Sequence, residues 1–241
     1  MSDDLIHVSG PVWYFPTDGA DRVEPNIGVI ATPRGVVLVD AGNSPKHGRR
    51  IQAAIEAAGL APVTTIIYTH YHWDHVFGAQ VFNAPVIAHE RCAETLTERY
   101  ARPWSTAHLE EEIRKNPLWA PVYRNMHRAV ENWDEFRLVL PSITFTRGLT
   151  LYLGDVTVRL SHVGGRHAGD SIMVVVPEAR TAFVGDSYYG PVQLQRGGNG
   201  GIERALVQRL LEDETIAFYV DGHKPVVKTR EAFAAYASAA E

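Results

Sequence analysis

Thr69-His70-Tyr71-His72-Trp73-Asp74-His75 sets three histidines and one aspartate into six consecutive positions. Imidazole and carboxylate are good ligands for borderline divalent metals such as zinc. The stretch follows the apolar, β-branched run Val63-Thr64-Thr65-Ile66-Ile67-Tyr68, so it reads as a metal site at the end of a buried strand. In an extended turn, His70, His72 and Asp74 point toward one pocket while Tyr71 and Trp73 pack behind them. The competing reading, a histidine-rich surface loop, suits tags and low-complexity tracts. This segment is neither.

The rest of the chain bounds what surrounds that site. Its 241 residues and 45% hydrophobic content suffice for a full core. A net charge of −5 and a pI near 6.1 give the whole molecule no attraction for nucleic acid or an anionic membrane, though a local basic patch stays open. Cys92 is the single cysteine, which excludes an intramolecular disulfide and leaves the redox compartment open. The acidic start Met1-Ser2-Asp3-Asp4 lacks a long apolar region, so no secretory signal is expected. With no apolar run of about 18 residues, no membrane span is expected either, and the expectation is a soluble, cytoplasmic protein.

Working outward, the N-terminal third reads as short strands, Val12–Phe15, Ile27–Ala31 and Val36–Val39, separated by Gly19, Pro25 and Pro33-Arg34-Gly35. Ser44-Pro45 opens a helix through Ala58 that Gly59 closes. Pro85–Ala88 reads as a buried strand and Glu90–Arg99 as a helix. From about Tyr100 to Arg137 the texture changes: charges are dense, glycine is absent, and Val122, Met126, Val130 and Trp133 recur at helical spacing. This predicts a helical insertion holding Trp104, Trp119 and Trp133. Strands are expected again at Ile143–Thr146, Thr150–Leu153, Val156–His162, Ser171–Val176 and Thr181–Val184. A helix near Ile202–Leu211, a strand at Ile216–Val220 and a helix from Thr229 close the chain. Two strand-rich halves edged by helices predict one α/β domain, residues 1–241, built as a sandwich.

A catalytic metal needs three or four protein ligands, and a pair of metals six or seven. Three further positions sit where a strand meets a glycine-bearing turn: His167 in Gly165-Arg166-His167-Ala168-Gly169-Asp170, Asp186 in Val184-Gly185-Asp186-Ser187, and His223 in Asp221-Gly222-His223-Lys224-Pro225. Each alone is weak. Together, His70-x-His72-x-Asp74-His75, His167-x-x-Gly169-Asp170, Gly185-Asp186 and Gly222-His223 resemble the ordered ligand set of the metallo-β-lactamase superfamily. Val37-Leu38-Val39-Asp40-Ala41-Gly42 and Thr181-Ala182-Phe183-Val184-Gly185-Asp186 are similar to its early and later strand-and-turn motifs.

The resemblance implies a four-layer αβ/βα sandwich carrying the helical insertion. It implies one metal on His70, His72 and His167, a second on Asp74, His75 and His223, and Asp186 bridging them. The metals would be two divalent ions, zinc foremost, with iron or manganese as alternatives. Asp40 has two readings: it fixes a ligand histidine through its other ring nitrogen, or it is a plain turn aspartate. Among the remaining histidines, His162 is the one expected to support a ligand, being near His167. Arg166 before His167 and Lys224 after His223 depart from the family's usual residues. Each is either a contact for an anionic substrate or a solvated surface charge.

Such a site implies a hydrolase in which a hydroxide bridging two zinc ions attacks a carbonyl ester, lactone or thioester. Asp74 or Asp186 would accept a proton, and Tyr189 would donate a hydrogen bond to the oxyanion, as a tyrosine at that offset does in some lactone-hydrolysing members. Tyr188 competes for the role, and packing is the alternative for both. Asp186 and His75 stand where β-lactamase subclasses differ, which disfavours antibiotic hydrolysis, and His72 disfavours a flavodiiron protein. Only 18 residues follow His223, too few for the substrate domain of hydroxyacylglutathione hydrolases, and no basic arm suggests a nucleic-acid substrate. The partner expected is a small molecule, with specificity in the insertion, which is a pocket wall, a homo-oligomer contact or ordinary core. Rival readings are a phosphodiester hydrolase on the same metal pair, a single-iron persulfide (sulfur) dioxygenase, and a non-catalytic binding module.

Overall fold

The computed structural model describes residues 3–17, 22–100, 102–190 and 201–238, with the side chain of Tyr100 left aside. Gly19, read above as turn punctuation, lies outside them. A first sheet runs β1 (Ile6–Ser9), β2 (Val12–Phe15), β3 (Ile27–Thr32), β4 (Gly35–Val39), β5 (Val63–Ile67), β6 (Val86–His89) and β7 (Ile143–Phe145), in that spatial order. β1 to β4 pair antiparallel; β4 to β7 pair parallel. The second sheet holds β8 (Gly148–Tyr152), β9 (Thr157–His162), β10 (Ile172–Val176), β11 (Thr181–Gly185), β12 (Phe218–Asp221) and β13 (Lys228–Thr229), again in chain order across the sheet. There only β11 and β12 pair parallel.

Alternation along the strands builds three apolar layers. On β4, Val37 and Val39 meet Phe183 of β11 and Val174 and Val176 of β10 between the sheets. Val36 and Leu38 face the other way, onto Ile51 and Ile55 of helix α1 (Pro45–Ala57). On the far sheet, Ala182, Val184 and Val175 turn outward to Leu206, Val207 and Leu210 of a later helix and to Phe233 near the C-terminus. Helix, sheet, sheet, helix is the four-layer sandwich expected. Each fully buried aliphatic side chain contributes roughly 1.5–3 kcal/mol toward holding the layers together.

α1 begins as its sequence predicts. The Ser44 hydroxyl accepts from the His47 amide, proline occupies the first turn, and Gly59 follows at φ +69°. Between the strands of the first sheet lie α2 (Trp73–Val76) and α3 (Glu90–Tyr100), and beyond α3 come α4 (Thr106–Lys115) and α5 (Ala120–Ala129). α6 (Arg204–Leu210) and α7 (Arg230–Ser238) cover the second sheet. The helical spacing through Trp133 overran the helix: α5 ends at Ala129, Val130 is extended, and Trp133 reaches the core on irregular chain. Trp133 stacks on Trp104 at 6.0 Å beside Phe77 and Phe136, so those two tryptophans are core packing. Trp119 and Leu118 are exposed.

β1 and β13 have no counterpart among the strands read from sequence. They are edge strands of four and two residues, too short for periodicity to register. Among the described residues no helix is long and apolar enough to cross a membrane.

Candidate metal centre

The parallel pairs decide where the site forms. β4, β5, β11 and β12 all end at one edge of the sandwich, and directly after them, or at their last residue, come Asp40, the 69–75 stretch, Asp186 and Asp221. The carboxyl ends of parallel strands are the usual place for a ligand in such sheets. The β9–β10 connection opens at the same edge, where the Ile172 amide donates to the Thr69 carbonyl. His167 lies on that connection.

One local expectation fails informatively. The histidine stretch is not extended through Asp74: the chain turns at His72 into the single helical turn α2, whose residues are all buried. In an extended segment residues 74 and 75 would point to opposite faces. The helical turn brings both into one site.

All seven donors singled out in the sequence come together, in three overlapping groups: His70, His72 and His167; His70, His75 and Asp186; Asp74, His75 and His223. The donor atoms within each group lie within 4.8 Å of one another. His72 Nδ1 is 3.0 Å from both His70 Nε2 and His167 Nε2. His223 Nε2 is 3.0 Å from Asp74 Oδ2 and 3.4 Å from Asp186 Oδ2. Asp186 Oδ2 is also 3.3 Å from His167 Nε2 and 3.6 Å from His75 Nε2, so this one carboxylate spans both ends of the cluster.

Asp40 resolves in favour of the supporting role. Its Oδ2 lies 2.7 Å from His75 Nδ1 and accepts from the Thr69 hydroxyl at 2.8 Å, while Oδ1 accepts from the Thr69 amide at 2.7 Å. With that hydroxyl donating to Asp40, its oxygen at 3.0 Å is free to accept from His70 Nδ1. Asp40 thereby turns Nε2 of both His75 and His70 inward. Thr69 was not legible as part of the site, since nothing in the sequence marks a threonine as a relay.

The electrostatics divide the cluster. Burial, with its histidine neighbours, holds His70 well below the ordinary imidazole value and takes His72 down to about 3. Burial lowers His167 too. These three are neutral near pH 7, with lone pairs available. For His75, burial opposes charging but the carboxylates of Asp40, Asp74 and Asp186 outweigh it and push it well up. His223 rises for the same reason beside Asp186 and Asp74. Against their own burial, Asp186 and Asp74 are held below the usual carboxylate range by these histidines.

A second scaffold fixes the His223 loop. Asp221 Oδ1 accepts from the amides of His223 and Lys224 at 3.0 and 2.6 Å, and Oδ2 from Tyr188 Oη and Lys228 Nζ at 2.8 and 2.6 Å. Asn26, from the opposite half of the chain, donates through Nδ2 to the carbonyls of Asp221 and Lys224, both at 2.7 Å. Tyr188 is thus committed to the scaffold, whereas the Tyr189 ring packs against His167 at 5.3 Å with its hydroxyl buried. His162 does not touch the cluster. It stacks on His89 at 3.9 Å and pairs with the Gly169 carbonyl, bracing the loop that carries His167. Arg166 is exposed and engaged with Glu203 and the Gly201 carbonyl, and Lys224 is exposed.

The residues fit a resident metal. His75 Nε2 and Asp186 Oδ1 are buried without a hydrogen-bond partner, and imidazole nitrogens converge at 3.0 Å with too few protons to satisfy one another. Buried polar atoms without partners are costly, and a cation among them removes that cost.

A four-layer αββα sandwich with a histidine–aspartate cluster at the strand ends defines the class. The chain belongs to the metallo-beta-lactamase superfamily, whose family model matches residues 20–219. Similar solved structures include a metallo-beta-lactamase from Pontibacter korlensis, with a TM-score of 0.68 and 19% identity over 98% of this chain and 97% of that one. Another is the DIM-1 metallo-beta-lactamase, with a TM-score of 0.66 and 15% identity over 97% and 94%. At such identities the likeness is one of fold. Among curated relatives, a linear primary-alkylsulfatase of Pseudomonas sp. is 24% identical over 185 residues, 68% of this chain and 33% of the relative. The alpha subunit of a 2,4-dinitroanisole O-demethylase from Nocardioides sp. is 38% identical over 119 residues, 44% of this chain and 34% of the relative. The chain therefore spans about a third of the length of the curated relatives it matches.

Proposed function

We propose that this protein is a dinuclear metal-dependent hydrolase acting on a carbonyl ester, lactone or thioester of a small molecule. The observation that carries the reading is the convergence of seven donors on one largely buried cluster, in which His75 Nε2 and Asp186 Oδ1 lack hydrogen-bond partners. His70, His72 and His167 hold one divalent ion; Asp74, His75 and His223 hold the second; Asp186 lies between them. Mixed imidazole and carboxylate donors suit zinc, with iron and manganese as the alternatives. A bound metal pair supplies a water acidified toward neutral pH and a Lewis acid for the substrate's oxygen.

The chain's own residues do the rest. Asp40 and Thr69 hold His75 and His70 in the ligating tautomer. Asp74 and Asp186, ionised because neighbouring histidines offset their burial, are the proton acceptors. Tyr189, whose ring packs against His167 and whose hydroxyl is buried without a hydrogen-bond partner, donates to the anion that develops on the substrate. The segment 100–137 supplies a wall of the substrate pocket as an insertion in a single domain.

The named relatives favour a second reading on the same site, cleavage of an organic sulfate ester or an aryl methyl ether. The test is elemental analysis of protein purified without added metal or chelator, followed by a panel of esters, lactones, thioesters, alkyl sulfates and 2,4-dinitroanisole. About two zinc ions per chain and turnover of a carbonyl substrate support the proposal. About one iron with little zinc favours the persulfide dioxygenase, and turnover of sulfates or the ether alone favours the second reading. Asp186→Ala must lose metal and turnover together; retention of both overturns the bridging role.

A further inference from the structure

We propose that Arg99 is the anion-recognition residue of this site, taking a carboxylate or sulfate group of the substrate on a guanidinium laid over Tyr71, one ring removed from His72. The guanidinium carbon lies 4.5 Å from the Tyr71 ring centroid, and that ring meets the His72 ring edge-on at 4.7 Å. Its backbone is pinned where α3 ends, because Trp104 Nε1 donates to the Arg99 carbonyl at 3.1 Å. The cation therefore lies one ring away from a member of the donor cluster, at the C-terminal end of α3.

Arg99 combines partial burial over an aromatic ring with the absence of a counter-charge. Arg50 pairs with Asp3 and Glu24, Arg159 with Asp213, and Arg166 with Glu203. No ion pair among the described residues involves Arg99, and Asp170, which acts on it electrostatically, is not within pairing distance. It is also half-buried: burial lowers its pKa, partly offset by Tyr71 and reinforced by Arg102. A guanidinium stays charged under any such shift. A desolvated, unpaired cation is costly, and an incoming oxyanion would relieve that cost through a bidentate, charge-assisted contact. Sequence had offered Arg166 for this role, but Arg166 is neutralised at the surface. Identifying the bound anion as the substrate's own group rests on the hydrolase reading; the anion site does not.

The test is calorimetric titration of hexanoate, hexyl sulfate and uncharged hexan-1-ol into the metal-loaded and the metal-stripped protein. Wild type should bind at least one anion about tenfold or more tightly than hexan-1-ol, and the preferred anion tells carboxylate from sulfate. Arg99→Gln should lose that preference while binding hexan-1-ol within twofold of wild type, and Arg99→Lys should keep part of it. The Arg99-dependent preference should persist without metal, so a failed metal assay leaves it standing. Phenylglyoxal labelling of wild type, read at Arg99 by mass spectrometry, should be slowed by the preferred anion and not by hexan-1-ol, a readout that needs no variant to fold. Equal binding of anions and alcohol by wild type, an unchanged preference in Arg99→Gln, or equal loss for charged and uncharged probes would each overturn the site, the last by reducing Arg99 to a clamp on Tyr71.

Discussion

Gly222→Ala separates the geometry of the cluster from the integrity of the fold. Gly222 is buried and does not use the left-handed backbone region, so alanine meets no conformational objection there. Its hydrogen bonds, from its amide to Gly185 and from Asn26 to its carbonyl, also survive the change. The added methyl, however, would overlap Asp186 Oδ1 outright and lie only 3.1 Å from Asp186 Cγ and from His75 Cε1. The Asp221 and Asn26 contacts hold the loop against retreat, so the carboxylate has to give way. Restoring an ordinary contact moves it by of the order of 1 Å, a displacement that typically costs about 10²-fold in rate. We expect kcat/KM to fall by about that factor and metal stoichiometry to drop, with global stability lowered by only about 1–3 kcal/mol of overpacking. Gly169→Ala is the control, since nothing lies within 4 Å of a methyl there; it should leave activity within about twofold. Full metal content and full activity in Gly222→Ala would refute the argument that Asp186 must stay where it is.

Asp40→Asn keeps a side chain that tolerates the φ of +66° at this position but removes the charge that orients His75 and, through Thr69, His70. Chelator competition should show metal affinity weakened about 10–100-fold. Tyr189→Phe should lower kcat by about 10²-fold with KM little changed if the hydroxyl serves the developing anion, whereas a packing tyrosine would leave kcat within a few-fold. Asp170 is buried, and burial pushes its carboxyl up to about 6 from an ordinary 3.8; the folded state thus holds its proton more tightly than the unfolded one. Stability from this group is present below the unfolded value and lost as pH rises through about 6. In denaturant unfolding of metal-free protein, wild type should therefore lose ~2 kcal/mol relative to Asp170→Asn between pH 4 and 7, and parallel stability curves would sink that assignment.

The sheets were legible in the sequence because strands inside the sandwich are written as short β-branched runs, such as Val63–Ile67 in the parallel part of the first sheet and Ile172–Val176 in the antiparallel part of the second. The donors were legible because histidine and aspartate beside glycine turns are few in the chain and recur in order. Roles that depend on what lies opposite were not. Asn26 is 195 residues from the carbonyl it holds at Asp221, and no local pattern announces such a contact. The turn of α2 was missed because four residues are too few for a helical period to appear. Arg166 and Arg99 look alike on paper, and only their placement separates a surface charge paired with Glu203 from a half-buried one without an ion pair.

These differences follow from how the site is assembled. The seven donors arrive on four separate segments, each fixed by a sheet ladder or by a buried carboxylate, Asp40 for the first half and Asp221 for the second. Support of that kind resists change, since moving any one donor disturbs a hydrogen bond on the other side of the sandwich, as Asn26 and Ile172 illustrate. Variation is cheaper where no ladder constrains the chain. The stretch from α3 to β7 packs Trp104, Trp133 and Phe136 around Phe77, which caps α2, and reaches the donor cluster also through Arg99 and Tyr71. Substitutions there should change which molecules are accepted while leaving metal content intact, and substitutions at Asp40 or Asp221 should do the reverse. A chain in which Arg99→Gln emptied the metal site, or Asp40→Asn changed substrate preference at full metal content, would not be built this way.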